Sequence, residues 1–305
     1  MLDLVILGGG IAGITAGIYA LRAGLKVKLV ESTGLGGQLL VSTKIENFPL
    51  ARGLRGPEFA QNLAAQASEL GLSVVYEKVE ALDLKRRELK LASGKTLTAR
   101  AVILATGTTV RKLGLAREED FTGRGLSYCA TCDGAFFKDQ AVAVYGGGDT
   151  AVSEAIYLSA LARSVTIILR RDQFRANPKD VQKMLSLANV KVIYAHQISA
   201  LVGTQKLEAL KLTPTAPSSS LSLLPVSALF VAIGRLPALP KLIPSAKNPL
   251  LFDEAGFIKA AEDGATSVPG VFVAGDLRHK QLRQLVTAAA DGANAVRSAI
   301  DFLQA

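Results

Sequence analysis

Short apolar runs separated by glycine and charge set the pattern of the chain: LVIL at 4–7, AVILA at 101–105, AVAVY at 141–145, ALFVAI at 228–233 and VFVA at 271–274. Runs this apolar, and this short, suit parallel strands buried on both faces. Helical spacing appears between them. Pro57–Leu70, PEFAQNLAAQASEL, reads as a capped amphipathic helix stopped by Gly71, and a long helix is predicted beyond Leu282. Leu72–Tyr76, Val79–Leu84, Glu88–Leu91 and Lys95–Leu97 alternate like a small antiparallel layer that turns at Ser93-Gly94. Val190–His196 and Leu207–Leu212 read as further strands, Thr213–Pro225 as a Pro/Ser-rich surface connection, and the proline-rich 236–244 as a linker.

One unit occurs twice. Leu4–Gly13 is a strand running into G-x-G-x-x-G at Gly8, Gly10 and Gly13, followed by a helical pattern and a second strand, Lys26–Val30, that ends at Glu31. Glycines at these places permit a tight turn and close backbone approach to a pyrophosphate at the helix N-terminus, and the terminal acid is placed for ribose hydroxyls. Ala141–Ala151, AVAVYGGGDTA, repeats the fingerprint at Gly146, Gly148 and Ala151, with Asp149 and Thr150 inside it. Sliding one copy onto the other matches Gly8 with Gly146, Gly13 with Ala151, and Ile18-Tyr19 with Ile156-Tyr157. The copies differ at the end of the second strand. Where the first has Glu31, the second has Leu169, Arg170 and Arg171, then Arg175. A carboxylate repels a 2′-phosphate and guanidinium forks bind one, so the first copy should hold a nucleotide with free ribose hydroxyls and the second NADPH. The expected fold class is α/β, with two Rossmann-like three-layer dinucleotide-binding domains. The last strand and helix have no fingerprint of their own, so they complete the first domain and the second is inserted into it.

The chain's two cysteines, Cys129 and Cys132, stand three apart in GLSYCATCDGAFFK, with Asp133 directly after the second. The thiolate is the nucleophile, and a C-x-x-C entering a helix has that form favoured, so the pair reads as a redox dithiol. Asp133 could hold or return the proton. Zinc needs about four ligands, and only His196 and His279 remain, far away in sequence, so no metal is expected. His196 reads as structural. A structural disulfide is out of place without other cysteines or a secretory signal, and no positively charged n-region precedes the uncharged stretch 4–21, so a cytoplasmic, non-membrane protein is expected. The net charge of +9 fits anionic cofactors or an acidic partner. Tryptophan is absent and no stretch interleaves aromatics with basic residues, so nucleic acid is not the expected partner.

With these motifs the chain resembles the low-molecular-weight thioredoxin reductases over nearly its full length, most specifically through GRGLSYCATCDGAFF at 123–137. The resemblance implies FAD on the first unit, contacted by Gly8, Gly10, Gly13, Glu31, Gly37, Gln38, Asn47, Thr106, Gly107 and Asp276, with Arg283 and Gln284 as an RQ motif beside the flavin. From the residues alone, Gln38 and Asn47 are donor–acceptor side chains on a loop that could equally be plain surface. The resemblance also implies that RRDQFR, Arg170–Arg175, carries the NADPH 2′-phosphate. Electrons would pass from NADPH through FAD to the disulfide, Cys132 facing the flavin, Cys129 attacking thioredoxin and Asp133 acting as acid–base. It further implies a homodimer. The expected domains are an FAD domain of 1–112 and 243–305 and an inserted NADPH domain of 113–242. Because nicotinamide and dithiol share the second domain and must both reach one flavin, that domain is expected to swing about linkers near Lys112–Ala116 and Leu239–Pro244. Leu169 replaces a usual histidine, Leu50 the glycine of IENFPG, His279 a frequent acid, and Ala290 a common glycine. Alternatives are a same-fold enzyme with another electron partner, a ferredoxin-dependent thioredoxin reductase or a dithiol oxidase, and a non-catalytic flavin-binding redox sensor.

Overall fold

The structure, a computed structural model, describes residues 1–42, 45, 47–51, 53–215, 222–243 and 249–305. These form two compact units, Met1–Thr109 with Leu236–Ala305, and Val110–Arg235. The chain passes between them after Thr109 and after Arg235, rather than near 112 and 242. Of the two expected linkers, Leu113–Leu115 is pinned by hydrogen bonds described below. Lys241–Ile243 is a strand paired with Val79–Asp83, and Pro244 lies outside the described residues.

In the first unit Ser73–Tyr76, Val27–Glu31, Leu2–Leu7, Thr96–Leu104 and Val271–Val273 lie parallel in that order. Both faces of the central strand are buried. Leu4 and Ile6 pack under the helices Ile11–Arg22 and Leu285–Gln304 with Ile14 and Val296, while Val5 and Leu7 pack with Leu82, Leu89 and Ile258. Such continuous burial is why these runs carry no polar alternation. Thr96–Leu104 is one nine-residue strand, where the sequence suggests two. Its first half alternates and pairs antiparallel with Glu88–Leu91; its second half is buried throughout and pairs parallel with Leu2–Leu7. The change of pairing partner changes the pattern along one strand. Ser73–Tyr76 pairs parallel with Val27–Glu31, so it belongs to the main sheet and not to the antiparallel layer.

The helix Gly56–Glu69 forms as expected but has no side-chain cap; Pro57 starts it and Gly71, at φ +85°, ends it. Leu50 occupies the left-handed region at φ +64° and is fully exposed. A left-handed leucine costs about 1–2 kcal/mol, whereas glycine there gives back roughly 0.5–1 kcal/mol through the entropy of the unfolded chain. Leu50→Gly is therefore expected to raise the unfolding free energy by up to about 1 kcal/mol, read by urea denaturation; a lower denaturation midpoint would contradict this account.

In the second unit the parallel order is Val190–Ile193, Ser164–Ile168, Ala141–Tyr145, Ala228–Val231 and Leu126–Ser127. The helices Asp149–Ser159 and Pro178–Leu185 cover one face. The antiparallel strands His196–Val202, Ala209–Pro214 and Ser222–Pro225 cover the other. Two expectations are corrected. The run Val190–His196 is broken at Ala195, which takes φ +52°, so His196 opens a new strand in a different sheet. Ser222–Pro225 is a paired strand and not free connection, while 216–221 fall outside the described residues. Among the described residues no helix is long and apolar enough to cross a membrane.

Candidate redox and nucleotide sites

The two glycine turns are built alike. Gly8, at φ +110°, approaches the end of Thr96–Leu104 so closely that a Cβ would lie 2.4 Å from the Ala105 carbonyl oxygen. Gly146, at φ +150°, makes the same approach to Ala232 at 2.2 Å. A Cβ on Gly13 would sit 1.8 Å from the Gly8 oxygen, so this position fixes helix against strand; Ala151, its counterpart, is fully buried. Gly10 and Gly148 each precede a helix, and a Cβ on either would meet nothing within 4 Å. Each fingerprint thus keeps an open side at a helix N-terminus, the geometry that suits a pyrophosphate.

Glu31 turns back on the first fingerprint. Its Oε2 accepts from the Gly9 N–H at 2.6 Å, and its Oε1 from the Ser32 and Thr33 N–H groups at 2.7 and 2.9 Å. Oε2 has a single donor and retains acceptor capacity. Elsewhere in this unit the structure joins several other expected residues. Gly37 and Gln38 open the 3₁₀ turn Gly37–Val41, and the Gln38 amide donates to the Thr108 hydroxyl at 2.8 Å. Asn47 donates to the Gln284 side chain at 2.9 Å, joining residues 237 apart in sequence. Gln284 also caps the helix Leu285–Gln304 in a capping box with Thr287. Thr106 donates to the Ala238 carbonyl, and the Gly107 carbonyl accepts from Ala238 N–H at 3.0 Å. The Arg283 guanidinium stacks 4.0 Å from the Phe257 ring centroid. Its Nε is shut from water with no hydrogen-bond acceptor.

Asp276 stands in the turn Gly275–Leu277, and under that turn lies a network that no sequence pattern announced. Asp291 is buried, accepting from Arg278 at 2.8 Å, Lys280 at 2.9 Å and the Gly275 N–H at 3.0 Å. Lys280 also reaches Asp276 at 3.7 Å. Two cations thus hold one buried carboxylate that orients the turn, and residues split between a loop and a helix in this way give no periodic signal. His279, in place of an acid, pairs with Asp253 at 2.6 Å.

Within the second unit a cleft of about 900 Å³ is lined by the second fingerprint, Gly146–Thr150, together with Arg111, Lys112, Arg170, Arg171 and Arg175. The three arginines after the strand Ser164–Ile168 are exposed, and among the described residues no ion pair neutralises them. Asp149 accepts from the Asn177 N–H at 2.7 Å, which ties the fingerprint to the helix Pro178–Leu185. Leu169 is buried beside Gly147. Arg111 and Lys112 are not legible as site residues in the sequence, because a basic pair after a strand carries no motif.

Cys129 and Cys132 form a disulfide. Cys129 caps the short helix Ala130–Asp133, its sulfur accepting from the Cys132 N–H at 3.2 Å and lying 3.3 Å from the Thr131 hydroxyl. These donors would steady a thiolate on Cys129. Buried Ser127 connects the pair to its acid, donating to Asp133 at 2.6 Å and accepting from the Cys129 N–H at 3.1 Å. Behind it, Tyr128 donates to Glu118, which also accepts from the N–H groups of Leu113 and Gly114 at 2.6 and 2.7 Å and of Leu115. Burial raises the Tyr128 pKa, and the neighbouring Glu118 carboxylate adds to it. Burial acts to raise the Glu118 pKa too, but the Tyr128 and backbone donors prevail and hold it below the ordinary carboxylate value.

A repeated nucleotide fold with one internal redox disulfide defines a class. A family model for pyridine nucleotide-disulphide oxidoreductases matches residues 2–292, and the chain belongs to that family. It is 41% identical over 309 residues to a thioredoxin reductase of Streptomyces coelicolor and 38% over 304 residues to one of Listeria innocua, each alignment covering 99% of this chain and 94% of the relative. A solved thioredoxin reductase of Lactococcus lactis superposes with a TM-score of 0.90 at 33% identity, covering 100% of this chain and 99% of the other. Within the family, the chain belongs with the low-molecular-weight thioredoxin reductases.

Proposed function

We propose that the chain is an NADPH-dependent thioredoxin-disulfide reductase, holding FAD on the first unit and NADPH on the second, with Cys129 and Cys132 delivering electrons to thioredoxin. The observation that carries the donor is the arginine-lined cleft. Among the described residues Arg170, Arg171 and Arg175 have no carboxylate partners, and they stand beside an open glycine turn, which suits a 2′-phosphate and its pyrophosphate. The first unit supports FAD through the open side of Gly10, the spare capacity of Glu31 Oε2, and the Asn47–Gln284 and Arg283–Phe257 contacts. When bound, the flavin links a hydride donor to thiol–disulfide exchange.

The remaining chemistry belongs to the chain's own residues. Reduction of the Cys129–Cys132 disulfide breaks its S–S bond and leaves two sulfurs that take up protons; Asp133, held by Ser127, is placed to supply and recover one. Cys129 as thiolate attacks the thioredoxin disulfide, forming a mixed disulfide and expelling one thioredoxin thiolate. Cys132 then attacks the Cys129 sulfur, restoring the internal disulfide and releasing the second thiol. Net, NADPH, a proton and thioredoxin disulfide give NADP⁺ and thioredoxin dithiol. The reading includes a homodimer in the cytoplasm, where a reduced dithiol can cycle; light scattering that found only monomer would remove the first part.

An anaerobic titration tests the donor. Flavin absorbance of the purified protein is expected to bleach at a far lower concentration of NADPH than of NADH. If neither nucleotide bleaches a bound flavin the donor assignment fails, and ferredoxin or a substrate dithiol takes its place.

A further inference from the structure

One titratable group beside the redox pair has no part in the steps above. Glu154 projects from the helix Asp149–Ser159, which packs against the redox helix Ala130–Asp133. Its carboxylate accepts a hydrogen bond from the Ala130 N–H. Ala130 is fully buried and follows Cys129 directly, and its N–H is one of the first-turn donors that have no partner within their own helix. The other oxygen, Oε2, is closed off from water and has no hydrogen-bond partner. A carboxylate can satisfy several donors; this one meets a single backbone N–H and the more distant charge of Arg235.

We propose that Glu154 is a positioning residue for the reaction: it holds the redox helix through Ala130 and, by taking up a proton when the disulfide is opened, sets how strongly the Cys129–Cys132 couple depends on pH. The balance is simple. Opening the disulfide adds two electrons, and any sulfur left as thiolate places negative charge within a few bonds of the Ala130 amide. An ionised Glu154 opposes that charge, so the proton not taken by sulfur goes to its Oε2, and it is returned when the pair is reoxidised.

The surroundings fit such a role. Burial pushes the carboxyl up to about 7, the Ala130 N–H and Arg235 opposing it, so both forms are populated near neutrality. Competing charges are absent or engaged. On the redox helix, Asp133 is hydrogen-bonded to Ser127. On Pro178–Leu185, Lys179, Asp180 and Lys183 are exposed. The strands under the Glu154 helix, Ala141–Tyr145 and Ser164–Ile168, carry no charge, Tyr145 being kept neutral by burial, and Lys191 on the neighbouring strand Val190–Ile193 is exposed.

The proposal rests on the dithiol being the redox-active pair, and its test reads the thiols without turnover. In the FAD-loaded protein reduced by dithiothreitol, iodoacetamide alkylation is followed against pH for wild type, Glu154→Gln and Glu154→Asp, with Ser153→Ala as control. The glutamine variant keeps an acceptor for Ala130 but cannot ionise. It is expected to lower the apparent thiol pKa, raising alkylation at pH 7 by at least about threefold, and to lose an inflection near neutrality that the aspartate and control variants keep. Superimposable wild-type and glutamine profiles overturn the proposal; a disulfide that dithiothreitol cannot open overturns the redox reading instead. Should the glutamine variant not fold, wild-type infrared difference spectra decide. A protonated-carboxyl band must grow on reduction and titrate near neutrality, and its absence is fatal to the idea.

Discussion

Replacing Cys132 with serine is expected to lower NADPH-driven reduction of thioredoxin by at least ~10³-fold, because a hydroxyl neither forms a disulfide nor resolves a mixed one. The remaining Cys129 keeps its donors from the backbone and Thr131, so it should still attack thioredoxin and stall as a covalent adduct, visible by mass spectrometry. Bleaching of the flavin by NADPH should persist, since the nucleotide cleft and the first unit are untouched. That combination, a lost overall reaction with a preserved half-reaction, separates a reductase from a sensor module that needs no exchangeable dithiol. A variant turning over within tenfold of wild type would remove the dithiol from the mechanism.

The second large effect concerns the donor. Changing Arg170 and Arg171 together to alanine should raise KM for NADPH by about 10²- to 10³-fold, since a hydrogen bond to a charged group contributes about 1.5–3 kcal/mol. Neither guanidinium has an ion-pair partner among the described residues, so the fold should be spared. Use of NADH, which lacks the 2′-phosphate, should change little, and kcat with saturating NADPH should hold. Steady-state kinetics with both nucleotides checks this. Equal losses for NADPH and NADH would place the arginines outside 2′-phosphate recognition, and weakening that is independent of salt would argue against a charge-based role.

Several features are legible in the amino-acid sequence because they depend on backbone demands with few chemical solutions. Gly8 and Gly146 stand where a Cβ would strike a carbonyl, Gly13 where helix meets strand, and Gly10 and Gly148 beside open space. The repeat therefore survives as a string of glycines. The doubly buried strands are equally plain, as Val5 and Ile6 face opposite cores and neither tolerates a polar residue. Where pattern misleads, pairing changes along the chain. Thr96–Leu104 pairs antiparallel along its first part and parallel along the rest, and Ser73–Tyr76 pairs parallel although it reads as part of an antiparallel layer.

Local sequence by itself determined the strand–glycine–helix units, the dithiol with its adjacent acid, and the contrast between Glu31 and the arginines, because each lies within one short stretch whose chemistry is complete there. Only the tertiary structure decided what those groups lean on. Asn47 finds Gln284, Asp291 gathers Arg278 and Lys280 beneath Asp276, Ser127 steadies Asp133, and Glu154 reaches the amide behind Cys129. Contacts of this kind form where separate elements pack, and a buried polar group must find its partner in space, at whatever distance along the chain that partner lies.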